Sequence, residues 1–416
     1  MTKVSRYLID ADWKFYHGDV QGAEQPGLED RSWRVVDLPH DWSIEGDFSA
    51  EHPMSYAGGY LPAGVGWYRK HLYVPEEWRM CTVYVEFDGV YSNSDVWMNG
   101  HWLGFRPNGY VSFFYELTPF IRYGENNELA VRVDNSCQPS ARWYTGSGIY
   151  RHVWLSTGGC VHIPPNDVRV STPHVNASWA SVQLNSSIRN RAGQTTAVTM
   201  RTNLYDQEGA VRDTRVQELN LAANTDSYAS ECLIVESPHL WAPEYPYLYD
   251  LEIELYVQGT MTDRTRMTVG FRTFCFDPEI GFVYNGKARN LKGVCEHGDA
   301  GCVGTAVPDG VLERRLDILK EMGCNAIRTA HAPPSPAFLE MTDRKGFFVM
   351  DEAFDEWAVG KIHGGYHRFF EGWAETDLRD FIRRDRNHPS VIMWSLGNEI
   401  PEKGTAEGVK RLKELM

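Results

Sequence analysis

The sequence has no apolar run of about 18 residues, so no transmembrane helix is expected. Its start, Met1 to Tyr7, lacks the apolar core of a secretory leader, which points to a cytoplasmic location. None of the 8 cysteines forms a CxxC pair, which removes zinc-ribbon spacing and a dithiol redox motif. In a chain of 416 residues a disulfide framework is not expected either, and reduced thiols are the default. No basic run exceeds the pair Arg383-Arg384, and the net charge is −15, so no nucleic-acid partner is expected. A neutral or small polar substrate fits better, although an acidic surface by itself also confers solubility. Gly293-Val-Cys-Glu-His-Gly298 is not G-x-G-x-x-G, which removes the dinucleotide-binding fingerprint.

What is present reads as more than one core. The first third shows short strands, Val83 to Phe87, Asp95 to Met98, Leu129 to Val133 and His152 to Leu155. Turn signals such as Asn99-Gly100 and Asn108-Gly109 separate them, and helical periodicity is hard to find. A jelly-roll β-sandwich over residues 1–157 is expected. Pro164-Pro165 opens a second β region over 164–274, with strands at Val168 to Val170, Ser181 to Ile188, Ala197 to Leu204 and Leu251 to Val257. That is the pattern of a smaller, immunoglobulin-like sandwich.

From residue 276 the period changes. Apolar strands at Leu291 to Cys295, Asn325 to Arg328, Phe347 to Met350 and Val391 to Leu396 alternate with helices. Asp309 is the expected N-cap of the first helix, which carries Leu312, Leu316 and Leu319 on one face. Ser335 caps the second, with Pro336 at its first position and Gly346 at its stop. Apolar strands in this order predict parallel pairing with both faces buried. A complete (β/α)8 barrel takes about 250 residues, and 276–416 holds four of its eight strands. The expected class is therefore multidomain β plus α/β, ending with the first half of a TIM barrel that stops inside its fourth helix at Lys413 to Met416.

Each apolar strand runs into polar residues: Glu296-His297-Gly298-Asp299, then Arg328 to His331, then Asp351-Glu352 with Asp355-Glu356, then Asn398-Glu399. In an α/β barrel these ends share the face that carries the active site. One such Asp-Glu is more often a cap or a solvated turn, but four in succession favour a site. Two chemistries fit, metal-assisted hydrolysis and glycoside cleavage by paired carboxylates. The metal reading ranks second because no HxH or HExxH spacing occurs.

At these residues the chain closely resembles glycoside hydrolase family 2, its β-galactosidase members most of all. The resemblance rests on several motifs in order. In the first region they include Leu38-Pro-His-Asp-Trp42, Gly66-Trp-Tyr-Arg-Lys70, Val96-Trp-Met-Asn-Gly100 and Arg142-Trp-Tyr-Thr-Gly-Ser-Gly-Ile-Tyr-Arg151. In the last they include Asn325-Ala-Ile-Arg-Thr-Ala-His331, Asp351-Glu-Ala-Phe-Asp355 and Trp394-Ser-Leu-Gly-Asn-Glu399. The resemblance implies a retaining hydrolase of terminal β-D-galactosides with no cofactor. It implies Glu399 as general acid/base and Asn398 as the partner of the sugar 2-hydroxyl. It also implies sugar-contacting roles for His297, His331, Asp351 and Arg142.

The departures are equally specific. The family nucleophile is a glutamate on a seventh barrel strand that this sequence does not contain, so the chain alone is expected to be inactive. Glu296 and Gly298 stand where relatives usually carry Leu and His, and Glu356 stands where many carry Met. A magnesium ligand of some larger relatives falls at Ala358, so no metal is expected. The expected partner is a small β-galactoside or oligosaccharide, and homo-oligomer formation is left open. A carbohydrate-binding module without catalysis and a β-glucuronidase or β-mannosidase specificity are the competing readings.

Overall fold

The structure, a computed structural model, describes residues 5–415; the leader reading at Met1 to Val4 and the chain end at Met416 lie outside them. The first unit is a sandwich of two antiparallel sheets. One has six strands in the order Arg34–Val36, Trp13–His17, Gly64–Val74, Glu125–Asn135, Ser94–Met98 and His101–Arg106. The other has Ser5–Leu8, Val153–Gly158, Thr82–Phe87 and Phe113–Glu116. Alternate side chains point into one core, so Val83, Val85 and Phe87 meet Val96, Val131 and Val133 there. The hairpin at Asn99-Gly100 needs positive φ at both central residues, and they adopt +52° and +81°.

The second unit is also a two-sheet sandwich. Its long pair Trp179–Asn190 with Asp226–Glu236 faces a sheet ordered Val211–Leu221, Thr196–Tyr205, Tyr249–Val257 and Thr260–Val269. Val161–His162 already pairs with Asn190 and Arg189, so this unit takes up the chain before Pro164. The strands at 211–221, 226–236 and 260–269 escaped the sequence reading because apolar Val211, Val216, Tyr228 and Ile234 stand on the outward face among polar residues, which blurs the alternation. Only the inward set, Ala229, Leu233 and Val235 in the second of them, marks a buried face.

A short antiparallel sheet over Phe274–Asp277, Gly281–Tyr284 and Lys287–Ala288 leads into the α/β unit. There four parallel strands stand in sequence order: Gly293–Glu296, Ala326–Thr329, Phe348–Glu352 and Val391–Ser395. Helix α1 (Asp309–Glu321), α2 (Pro336–Lys345) and α3 (His367–Asp385) follow the first three strands, and α4 (Ala406–Leu415) follows the fourth. Ser335 caps α2 by accepting from the Phe338 N–H at 3.2 Å. Asp309 is not a cap: Pro308 holds that position, Asp309 is the first helical residue, and its carboxylate lies 3.4 Å from His152 Nε2.

Among the described residues the parallel sheet does not close into a barrel. Its helix face packs on Leu316, Leu319, Phe338 and Leu339. The other face has an apolar cover at its base, where Trp241, Phe282 and Tyr284 pack on Phe348 and Ile392. The expectation that these strands are buried on both faces is therefore corrected: Gly293 and Cys295 of the first strand and Trp394 of the fourth are exposed.

The jelly roll is bolted to this unit. Buried Arg151 donates to the carbonyls of Pro333 and Pro334, and Arg106 pairs with Asp377 and Asp380 on α3. Buried Asp41 accepts from the Tyr144 hydroxyl at 2.6 Å and from Thr305. These contacts bring the loop 139–146 over the ends of the parallel strands.

Candidate active site

Successive residues on a strand face opposite ways, and the third parallel strand ends in two acids. The structure separates them. Asp351 turns toward the helices, is fully buried beside Asp385, and lies 3.5 Å from the Thr329 hydroxyl. Burial and the neighbouring Asp385 push its carboxyl far above the usual range. Asp351 is thus corrected from a sugar-contacting group to a buried one.

Glu352 faces the other way, toward the strand-end mouth. It takes two contacts from the Arg328 guanidinium at 2.8 and 2.9 Å, one from Ser395 at 2.6 Å, and pairs with His331 Nδ1 at 2.8 Å. Burial pushes this carboxyl up, but the hydrogen bonds from His331, Ser395 and Arg328 outweigh it and hold it below its ordinary range. Its lone pairs are fully engaged, so it positions its neighbours and leaves no nucleophile free.

Asn398 and Glu399 follow the fourth strand. Asn398 is buried, and its amide accepts from Arg328 at 3.0 Å and donates to Asp355 at 2.8 Å. Its backbone N–H donates to the Phe354 carbonyl at 3.0 Å. Glu399 adopts a left-handed φ of +47°, an uncommon conformation for a residue with a side chain, and stands exposed at the mouth. Arg142 reaches it from the jelly roll, 3.3 Å from Glu399 Oε2 and 2.9 Å from Asp355 Oδ1.

Three further side chains line the mouth. His297 and His331 lie with ring centroids 5.3 Å apart, each 5.6 Å from the Trp143 indole. Burial and the neighbouring His331 push His297 down, toward neutral imidazole. Trp143 stands between two hollows, one walled by Glu296 and His297 and the other by His331 and Asp355.

Five of the six residues singled out from sequence, Arg142, His297, His331, Asn398 and Glu399, thus gather at one mouth. Arg328, Glu352, Asp355, Lys361 and Trp143 belong with them and were not singled out. Strand parity gives Glu352, once Asp351 is placed on the helix face. The contacts of Asp355 and Lys361 depend on a loop whose path no pattern encodes.

Among the described residues, Glu356 is engaged by the backbone and brings no divalent-ion donor set to this mouth. Its carboxylate accepts from the backbone N–H groups of Lys361 at 2.6 Å and His367 at 3.0 Å, and Ala358 offers no ligand. Elsewhere Asp30, His71 and Glu128 gather their ligand atoms within 4.8 Å. Both His71 nitrogens already face those carboxylates, and Arg69 pairs with both acids, so side chains of this chain already occupy the space between them.

Comparison with known proteins places these features in context. Three family models tile the chain: "Glycosyl hydrolases family 2, sugar binding domain" over residues 33–158, "Glycosyl hydrolases family 2" over 161–272, and "Glycosyl hydrolases family 2, TIM barrel domain" over 279–416. The chain is similar to β-galactosidase BoGH2A of Bacteroides ovatus, 49% identical over 396 residues that cover 95% of this chain and 46% of that protein. It is similar to a β-glucuronidase of Bacteroides fragilis, 31% identical over 98% of this chain and 58% of that one. A crystal structure of a β-glycosidase from Bacteroides vulgatus superposes with a TM-score of 0.93 at 42% identity, covering 99% of this chain and 52% of that one. The chain thus spans about half the length of the curated relatives it matches.

Proposed function

This chain belongs to glycosyl hydrolases family 2, and from that premise we propose that it carries the acid/base half of a retaining hydrolase of terminal β-D-galactosides. Glu399 is the acid/base. It protonates the departing oxygen and then activates water, as retaining hydrolysis requires of one of its two carboxylates. Asn398 holds the sugar 2-hydroxyl, and His297, His331 and Trp143 border the sugar.

The observation that carries this reading is the seat of Asn398-Glu399 at the tip of the fourth parallel strand, beside an anchored amide and an arginine from another domain. The second carboxylate must stand about 5–5.5 Å from the first. Glu352, Asp355 and Glu356 are all committed to other partners, so none of them serves. We therefore expect residues 1–416 alone to bind galactosides without hydrolysing them.

Titration with galactose and glucuronate, beside assays on aryl β-galactoside and aryl β-glucuronide, tests this. Galactose binding without turnover is expected. Turnover abolished by Glu399→Gln would overturn the need for a further carboxylate. Preference for glucuronate, in line with the name of the Bacteroides fragilis relative, would overturn the galactoside specificity.

A further inference from the structure

Asn398 can present its amide to a sugar hydroxyl only if the amide does not flip. The two ends of an amide, an oxygen and an NH2, are nearly alike in shape, and their orientation is set by their partners. Here those partners are opposite in kind. The Arg328 guanidinium, which only donates, faces Oδ1 at 3.0 Å, and the Asp355 carboxylate, which only accepts, faces Nδ2 at 2.8 Å. A flipped amide would set donor against donor and acceptor against acceptor. The native orientation leaves one Nδ2 hydrogen for a ligand.

Asp355 is itself held. Lys361 Nζ lies 3.1 Å from its carboxylate and 2.6 Å from its carbonyl, and the same ammonium also donates to the Asn398 carbonyl. Only 10% of the Lys361 side chain is exposed, so this charge is committed to the three oxygens around it. Glu356 shapes the loop that brings it there, through the Lys361 and His367 N–H groups. Gly365 lets that loop pass, since a Cβ there would clash with Glu356 Oε1.

We propose that Asp355 and Lys361 are positioning residues that fix the Asn398 amide for the sugar 2-hydroxyl and tie the Asn398-Glu399 turn to the loop after the third strand. The inference rests on the galactoside reading of this mouth. Arg142 completes the arrangement from the jelly roll by sharing Asp355 with Lys361 and Asn398.

The test compares galactose with 2-deoxygalactose by ligand-observed NMR titration at millimolar sugar. One neutral hydrogen bond predicts about fivefold tighter binding of galactose by the unaltered chain. Asp355→Asn and Lys361→Met are each expected to reduce that ratio to about twofold or less, with 2-deoxygalactose affinity nearly unchanged. Lys361→Arg is expected to keep the ratio. A ratio that survives both substitutions would overturn the positioning role, and so would a parallel loss of both affinities. Equal binding of the two sugars by the unaltered chain would instead overturn the assignment of Asn398 to the 2-hydroxyl, and this inference with it. Lys361→Met supplies the same readout should Asp355→Asn not fold.

Discussion

Glu352 is the most heavily bound acid of the mouth, and its replacement by glutamine tests the account of that network. The carboxylate is fully buried and meets Arg328, His331 and Ser395. A glutamine in its place would be neutral, would offer one acceptor oxygen instead of two, and would turn an NH2 group toward one of these partners. Breaking a buried pair from one side costs about 3–5 kcal/mol, because the remaining charge is stranded. The Arg328 side chain is 28% exposed and can be partly rehydrated, which places the loss at the low end, about 3 kcal/mol. For a unit of this size that lowers the melting temperature by about 10 °C.

Differential scanning calorimetry should show the drop in the transition that includes the α/β unit. The native carboxyl is held below its ordinary value near 4.5, so its stabilisation is complete above that pH and is lost as pH falls through the native value. The gap between the two proteins is therefore full at pH 7 and narrows below about pH 4. Replacing the pair together, with Arg328→Met and Glu352→Leu, is expected to recover much of the loss. A drop under about 2 °C for Glu352→Gln at pH 7 would refute the reasoning.

Two further outcomes follow from contacts at the domain junction and at a helix end. His152 lies between Asp10 of the jelly roll and Asp309 of α1, and the hydrogen bond it donates to the Asp10 carboxylate pushes its pKa up to about 9. A raised histidine stabilises fully below its unfolded value near 6.5 and loses that contribution as pH rises through about 9. Melting curves across that range should show a downward slope that His152→Gln removes; an unchanged slope would contradict the bridge. Ser335→Ala removes the α2 cap and should cost about 1 kcal/mol in urea unfolding, whereas Asp309→Ala, which removes no cap, should leave α1 helicity intact.

The class of each unit was legible because period and turn chemistry are local. Val83, Val85 and Phe87 alternate, Asn99-Gly100 demands a tight hairpin, and Ser335-Pro336 opens a helix with Gly346 at its end. What could not be read depends on contacts distant in sequence. The second sandwich begins at Val161 because of a partner near Asn190, while Pro164-Pro165 only marks a turn after that pairing has begun. Asp309 has the residue type of a cap, but Pro308 has the extended backbone a cap needs. Asp351 and Glu352 are adjacent acids that only strand parity separates, and parity needs the register with Trp394 and Ser395. Glu296, unusual for its position, pairs with Arg315 on α1, a compensation invisible until the helix is docked.

The central claim is that the Glu399 carboxylate faces a bound glycoside at the tip of the fourth parallel strand. Its most direct test is the dissociation constant of a galactose-configured imino sugar, a cation at neutral pH, for the unaltered chain and for Glu399→Gln. Whether the proton arrives with the sugar or passes to it from Glu399, the bound pair is an ammonium beside a carboxylate, which glutamine cannot form; with the side chain 69% exposed that contact is worth about 1 kcal/mol, or about fivefold weaker binding, with neutral galactose unaffected. Equal affinity of the two proteins for the imino sugar would contradict the account.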